Sequence, residues 1–372
     1  MKIPTTPREA ELAAAPAEAT PATAAAVATA EPSLDLSLTA HDVAIAELRR
    51  LLGAWRRHEP GARLGQDAEE LHQLRVTARR IDATLGLFKR QLPGALVQAR
   101  KTTKAVLRTL GTARDLDVQL AELAQYAAQL PENERAAAEP LRSYLENERV
   151  RARTRMVRAL DSEPTRRWLE TLSLAGGERG DLSAAERALV VMPERVRRRF
   201  RKLRKSVAKL RGKSSMEDYH LVRRRAKQLR YATECGANMF GKPADELLRA
   251  LRRLQDRLGA HQDAYMAQNR LASIAADQAS GLPPPTLFLM GRLAEHNLRV
   301  TQQARETLTR SWRKVRGKRW RALRARLAEL RDSAAAANGA GPISAATAAA
   351  ETAAGSSLAG HSPEPEVRPV KH

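Results

Sequence analysis

Two histidines, each followed on the same helical face by a row of cations, are the residues of this chain best suited to chemistry. His72 precedes Arg75 and Arg79, and His220 precedes Arg223, Lys227 and Arg230. At about 100° per residue these spacings place each set on one narrow arc of a helix. Leu74, Ile81 and Leu85 fall on a separate arc, so the first helix has a core face and a cationic stripe. The arrangement recurs downstream, with Lys101, Lys104 and Arg108 after the first set and Arg249 and Arg252 after the second. Exposed helix faces ordinarily mix signs, because opposite charges one turn apart stabilise them. These stripes are nearly free of acid, and their like charges repel. An anion lying along them would offset that repulsion.

A histidine among arginines suits a phosphate oxygen, to which it can donate. A dication is a poorer match, although Glu69 and Glu217 stand one turn before His72 and His220. A metal site would need further His, Cys or carboxylate groups to converge, so neither metal nor cofactor is expected. Asp115, Asp117 and Asp263 come just past a glycine and read as N-caps at a helix start, or as orienters of a nearby arginine, rather than as catalytic acids. There is no Gly-rich phosphate loop, His-Glu-x-x-His, nucleophile elbow or zinc-type cysteine spacing, and no enzyme is expected. Aromatic residues are 3% of the chain, few for a protein that stacks the bases of single-stranded nucleic acid. A ligand that is all phosphate and no base is the simpler match. A helical nucleic-acid-binding protein using the same basic surface is the alternative.

The elements that must position these residues are helices. Apolar residues recur at three-to-four spacing, as in Val43, Leu48, Leu51, Leu52 and Trp55, and no alternating β-branched run of convincing length occurs. Breaks are expected at Pro60-Gly61, Pro93-Gly94, Pro131, Gly176-Gly177, Gly241 with Pro243, and Pro283 to Pro285. The fold class is all-α. Of the net charge of +23, residues 1–35 carry −3 and residues 333–372 carry −1, which leaves +27 on residues 36–332. The two flanks are rich in Ala with Pro, Thr, Gly and Ser and lack periodic large apolar residues, so both are expected to be disordered tails. The 43% hydrophobic content is enough for a sizeable core between them. The single cysteine, Cys235, excludes an internal disulfide and reads as an apolar filler in a reducing compartment. With no apolar run of about 18 residues and no basic segment leading into an apolar N-terminal core, neither a membrane partner nor a secretory signal is expected. The cytoplasm is the expected location.

His72 and His220 are 148 residues apart, and that one offset aligns the chain with itself without gaps from Val43 to Leu123. It places Arg75 on Arg223, Ala78 on Ala226, Gly111 on Gly259 and Asp115 on Asp263. Cations meet cations at Arg49/Arg197, Arg56/Arg204, Arg79/Lys227, Lys101/Arg249 and Lys104/Arg252. Asp67 with Glu70, and Ser215 with Asp218, resemble capping boxes at matched positions. The pattern is that of a duplication, with halves at about 38–180 and 183–332.

The segment Leu71-His72-Gln73-Leu74-Arg75-Val76, followed by Leu110-Gly111-Thr112-Ala113-Arg114-Asp115, resembles the CHAD domain (the conserved histidine α-helical domain). His220 to Arg223, Lys227 to Tyr231 and Leu254 to Gly259 match in the second half. The resemblance implies two four-helix bundles related by a pseudo-twofold axis, with the second and third helices of each half lining a basic central groove. That groove would bind inorganic polyphosphate and could recruit the chain to polyphosphate granules. Carried over residue by residue, its ligand-binding positions are His72, Arg75, Arg79, Lys101, Lys104, His220, Arg223, Lys227, Arg230, Arg249 and Arg252. Arg49, Arg56, Arg197 and Arg204 would form a basic rim. Asp82 departs from the pattern, standing where the repeat places Arg230 and where the family would usually have an arginine. The triphosphate-hydrolysing domain fused to some relatives opens with a Glu-x-Glu-x-Lys strand that does not occur in these residues, so no hydrolysis is carried over.

Overall fold

The computed structural model describes residues 38–174, 187–211, 214–277 and 281–339. These residues are helical almost throughout. The first half contains α1 (Ala40–Leu64), α2 (Ala68–Leu87), α3 (Gly94–Ala128), the single turn α4 (Glu132–Arg135), α5 (Glu139–Asp161) and α6 (Glu163–Leu174). The second contains α7 (Ala188–Lys209), α8 (Met216–Cys235), the single turn α9 (Ala237–Phe240), α10 (Lys242–Ala276), α11 (Pro284–Arg316) and α12 (Lys318–Gly339). Each half thus has five helices of 12 residues or more, one beyond the four that the resemblance implies.

The repeat is visible in the helix boundaries. The starts of α1 and α7, of α2 and α8, and of α3 and α10 are each 148 residues apart, and α2 and α3 have the lengths of α8 and α10, 20 and 35 residues. Among the described residues there is no strand, only an isolated antiparallel bridge between Thr39 and Arg187. Those two positions are equivalent under the same offset.

Local chemistry accounts for most helix ends. Thr39 and Asp42 form a reciprocal capping box on α1, as Ser215 and Asp218 do on α8. The box expected from Asp67 and Glu70 is only half made. Asp67 accepts from the Glu69 amide at 2.8 Å, while the Glu70 carboxylate turns away to His58, 2.9 Å distant. The break expected at Pro60-Gly61 does not occur. Exposed Pro60 forgoes only its own amide bond, α1 continues through it, and the helix ends instead at Gly65, with φ 76°. The C-terminal boundary also moves, because α12 runs seven residues past 332 to Gly339. Ala334 is buried, and alanine is the strongest helix former, so residues 333–339 extend a helix rather than begin a tail. The Gly176-Gly177 break, residues 1–35 and residues 340–372 lie outside the described residues.

Each half is closed by an aromatic contact between its first and last long helices, at positions that the 148-residue offset does not align. Trp55 of α1 meets Trp168 of α6 edge-on at 5.0 Å, and the Trp168 indole donates to Thr103 of α3 at 2.8 Å. Phe200 of α7 stacks on Trp320 of α12 at 3.6 Å. The edge-on Trp55–Trp168 pair adds to the burial of its rings. α2 packs on α1 and α3, α8 on α7 and α10, and α2 meets α8 between the halves. The two stripe-bearing helices are therefore neighbours.

Candidate functional site

The stripes of α2 and α8 converge. Lys227 is held at a pKa of about 6, first by burial and then by the positive fields of Arg79, Arg223, Arg75 and Arg230. Five basic side chains from the two halves, four of them arginines, therefore share one half-buried region. Arg75 is lowered to about 10 by burial and by Arg79, with Asp115 opposing the shift. Arg223 is lowered by burial, with Asp263 opposing. The Nε atoms of Arg75 and Arg223 are buried without a hydrogen-bond partner. Gathering these groups opposes folding, because desolvation and mutual repulsion act together.

Each arginine of the matched pair Arg75 and Arg223 is seated by a glycine and an aspartate one turn apart on the neighbouring helix. The Arg75 guanidinium is 3.5 Å from Asp115, and a Cβ added at Gly111 would be only 3.3 Å from it. Arg223 is 3.8 Å from Asp263, with the corresponding Cβ position at Gly259 at 3.6 Å. Asp115 and Asp263 lie in the middle of 35-residue helices, so the N-cap expectation is corrected and the arginine-orienting one holds. Buried Asp117 is also mid-helix, 3.9 Å from Arg149 of α5. Each glycine is a point of close approach within a continuous helix.

Lys101, Lys104 and Arg108 share the arc of α3 that carries Gly111 and Asp115, and Arg249 and Arg252 share the equivalent arc of α10 with Gly259 and Asp263. The two lysines and two arginines of the expected site are exposed along those arcs. His72 is half-buried one turn before Arg75. His220 is exposed, and its Nδ1 is 3.2 Å from the Gln262 amide oxygen of α10. The expected rim is less coherent. Arg56 donates to Ser173 of α6 at 3.1 Å, whereas Arg204 is exposed on α7.

The halves differ within this common frame. Asp82 receives the Arg100 guanidinium at 2.8 Å, whereas its counterpart Arg230 is buried and 3.5 Å from Glu234. Glu234 is also 3.7 Å from Arg80 of the first half, which links α2 to α8. Sequence reasoning overlooked this link, since an acid outside the cationic arc gave no signal. It also overlooked Glu122, which shares the arc of Lys104 and Asp115 and is raised to about 7 by burial and by Asp263. Cys235 fits its filler role, with a thiol pushed up to about 12 by burial.

With this geometry in hand, comparison with known proteins places the chain. Residues 46–272 match the CHAD domain, and the chain belongs to that family. Uncharacterized proteins from two strains of Mycobacterium tuberculosis are each 27% identical over 262 residues, 66% of this chain and 48% of theirs. The chain thus spans about half the length of these curated relatives. Among solved structures, PptA from Streptomyces chartreusis aligns with a TM-score of 0.59 at 21% identity, over 74% of this chain and 99% of that one. The CHAD domain from the plant Ricinus communis aligns with a TM-score of 0.55 at 23% identity, over 78% of this chain and 92% of that one. At these identities the likeness is one of fold.

Proposed function

We propose that this CHAD domain binds inorganic polyphosphate, without turning it over, in a basic groove between α2, α3, α8 and α10. The observation that carries the reading is the convergence of Arg75, Arg79, Arg223, Lys227 and Arg230 from two copies of one repeat. A cluster of that charge, half removed from water, is best offset by a ligand with closely spaced negative charges. Polyphosphate has such charges along its whole length and no bases to stack. The exposed cations Lys101, Lys104, Arg249 and Arg252 extend the path along α3 and α10, and His72 and His220 add donors at the entry of each stripe. Asp115 and Asp263 hold Arg75 and Arg223 in place, a positioning role that needs no proton transfer. Recruitment to polyphosphate granules would follow from the same binding.

Calorimetric titration with short and long polyphosphate, alongside duplex DNA, tests the reading. Expected is saturable polyphosphate binding that survives excess duplex and weakens steeply with salt as counterions are released. Absence of a salt slope, or release of phosphate in the presence of magnesium, would contradict it.

A further inference from the structure

A second cationic surface lies on the outer side of the second half, on helices that the proposed groove does not use. Arg198, Arg201, Lys202, Lys205 and Lys209 are all exposed and occupy one stripe of α7 at i, i+3, i+4, i+7 and i+11. Glu194 is the one acid in α7, and it pairs with Arg201 at 2.8 Å. From Arg310 to Arg326, across the α11–α12 junction, the chain has nine Lys and Arg and no acid. Arg313, Arg316, Arg321 and Arg324 in that stretch are exposed, and among the described residues none of them pairs with a carboxylate. α12 packs directly on α7 through Trp320 and Phe200, so the two cationic segments are adjacent.

The first half supplies an internal control. α5 and α6 pack on α3 and α1 as α11 and α12 pack on α10 and α7. They carry eight arginines, but six acids accompany them. Arg142 pairs with Glu139 and Glu146, Arg151 with Glu148, and Arg166 and Arg167 with Glu163. One outer pair of helices is thus nearly balanced by its own acids, whereas α11 and α12 carry thirteen Lys and Arg against four acids. General solubility does not require that difference.

We propose that the α7–α12 outer face binds the phosphate backbone of double-stranded nucleic acid, at a site separate from the groove. A thin polyanion can follow only one of these stripes at a time. A duplex presents two phosphate strands across grooves about 6–12 Å wide, a span comparable to packed helices whose axes are about 8–10 Å apart. Arginines and lysines on helix surfaces make backbone contacts of this kind, which position a duplex without reading its bases. Single strands are disfavoured, because Phe200, Trp312 and Trp320 are buried in the stack beneath the face and unavailable to bases. The proposal does not depend on polyphosphate binding.

The test measures anisotropy of a labelled DNA duplex with the full chain across a salt series, using two fourfold variants of equal charge change. The face variant is Arg198→Gln, Lys205→Gln, Arg321→Gln and Arg324→Gln. The control is Arg142→Gln, Arg151→Gln, Arg166→Gln and Arg167→Gln on the neutralised side. Folding is checked by circular dichroism, and Arg321→Gln with Arg324→Gln alone serves if the fourfold face variant is impaired. Expected is a loss of about tenfold or more in duplex affinity for the face variant, with the log–log salt slope reduced by about 3–4. The control should change neither, and polyphosphate affinity should persist in both variants. Equal losses in the two variants would overturn the proposal, as would an unchanged salt slope in the face variant. So would a face variant that loses polyphosphate in place of duplex, or duplex binding abolished by Arg223→Glu in the groove. Failure of polyphosphate binding in the unaltered chain would count against the groove reading alone.

Discussion

The two halves of this domain share helix starts and a glycine–aspartate seat for one arginine, yet they charge the same frame differently. In the first half the position after Arg75 and Arg79 is Asp82, tied to Arg100 of its own half. In the second it is Arg230, buried and drawn to Glu234, which also reaches Arg80 across the interface. The reverse holds one helix later, where Arg108 of α3 corresponds to Asp256 of α10. The repeat shares one geometry, and single positions distribute the charge differently within it. Backbone frames tolerate such changes because surface and groove side chains contribute little to the core that fixes helix placement.

The largest expected effect breaks the matched pair. Reversing Arg223 to Glu should cost about 1.5–3 kcal/mol of polyphosphate binding for the lost charge-assisted contact, with added repulsion. Arg75→Glu should lose a similar amount, and titration calorimetry compares the two directly. Making the halves alike is expected to have a smaller effect. Arg230→Asp, which copies the first half, should weaken binding. Asp82→Arg, which copies the second, should strengthen it by about two- to fivefold, the scale of a solvent-screened ion pair.

A proton count sharpens the comparison at Lys227, whose counterpart is Arg79. Lys227 titrates at about 6 in the folded chain, well below an unfolded lysine, so it is mostly neutral at pH 7.5. Between those two pKa values the unfolded chain binds the extra proton, and stability should rise with pH across that window. An arriving polyanion raises the lysine pKa, so binding at pH 7.5 should take up about one proton. Calorimetry in buffers of differing ionisation enthalpy measures that uptake, and Lys227→Met should abolish it.

The smallest effect is at the two seats. A Cβ at Gly259 would make ordinary contact with Arg223, so Gly259→Ala should stabilise the chain by up to about 1 kcal/mol through helix propensity. At Gly111 the same Cβ crowds Arg75, so Gly111→Ala should gain less and weaken binding. Thermal melts and one titration for each variant separate the two outcomes.

What the sequence reveals follows the range of the cause. Capping boxes, glycine stops and apolar spacing act within a few residues, and the repeat and the helix starts are legible from them. The cationic arcs are legible too, because helical spacing alone puts His220, Arg223, Lys227 and Arg230 on one side. Tertiary causes escape. Asp115 and Asp263, each just past a glycine, have the look of N-caps, yet both sit mid-helix, and the glycines leave room for an arginine from the neighbouring helix. Pro60 has the look of a stop, but α1 tolerates its one missing donor and runs on to the left-handed Gly65. Arg225 carries the same charge as Arg223, and only packing shows that it donates to the Lys202 carbonyl at 3.0 Å and fastens α8 to α7.

The most direct test of the central claim pairs Arg75→Glu with Arg223→Glu and compares that double variant with Arg155→Glu and Arg167→Glu, an equal charge change on exposed positions of α5 and α6. Polyphosphate is titrated into both at physiological salt, with helicity confirmed by circular dichroism. A convergent site predicts that the first pair loses at least about 100-fold in affinity, the sum of two charge-assisted contacts, while the second stays within a few-fold of the unaltered chain. Equal losses in the two pairs would mean that only net charge matters, and the convergent site would be contradicted.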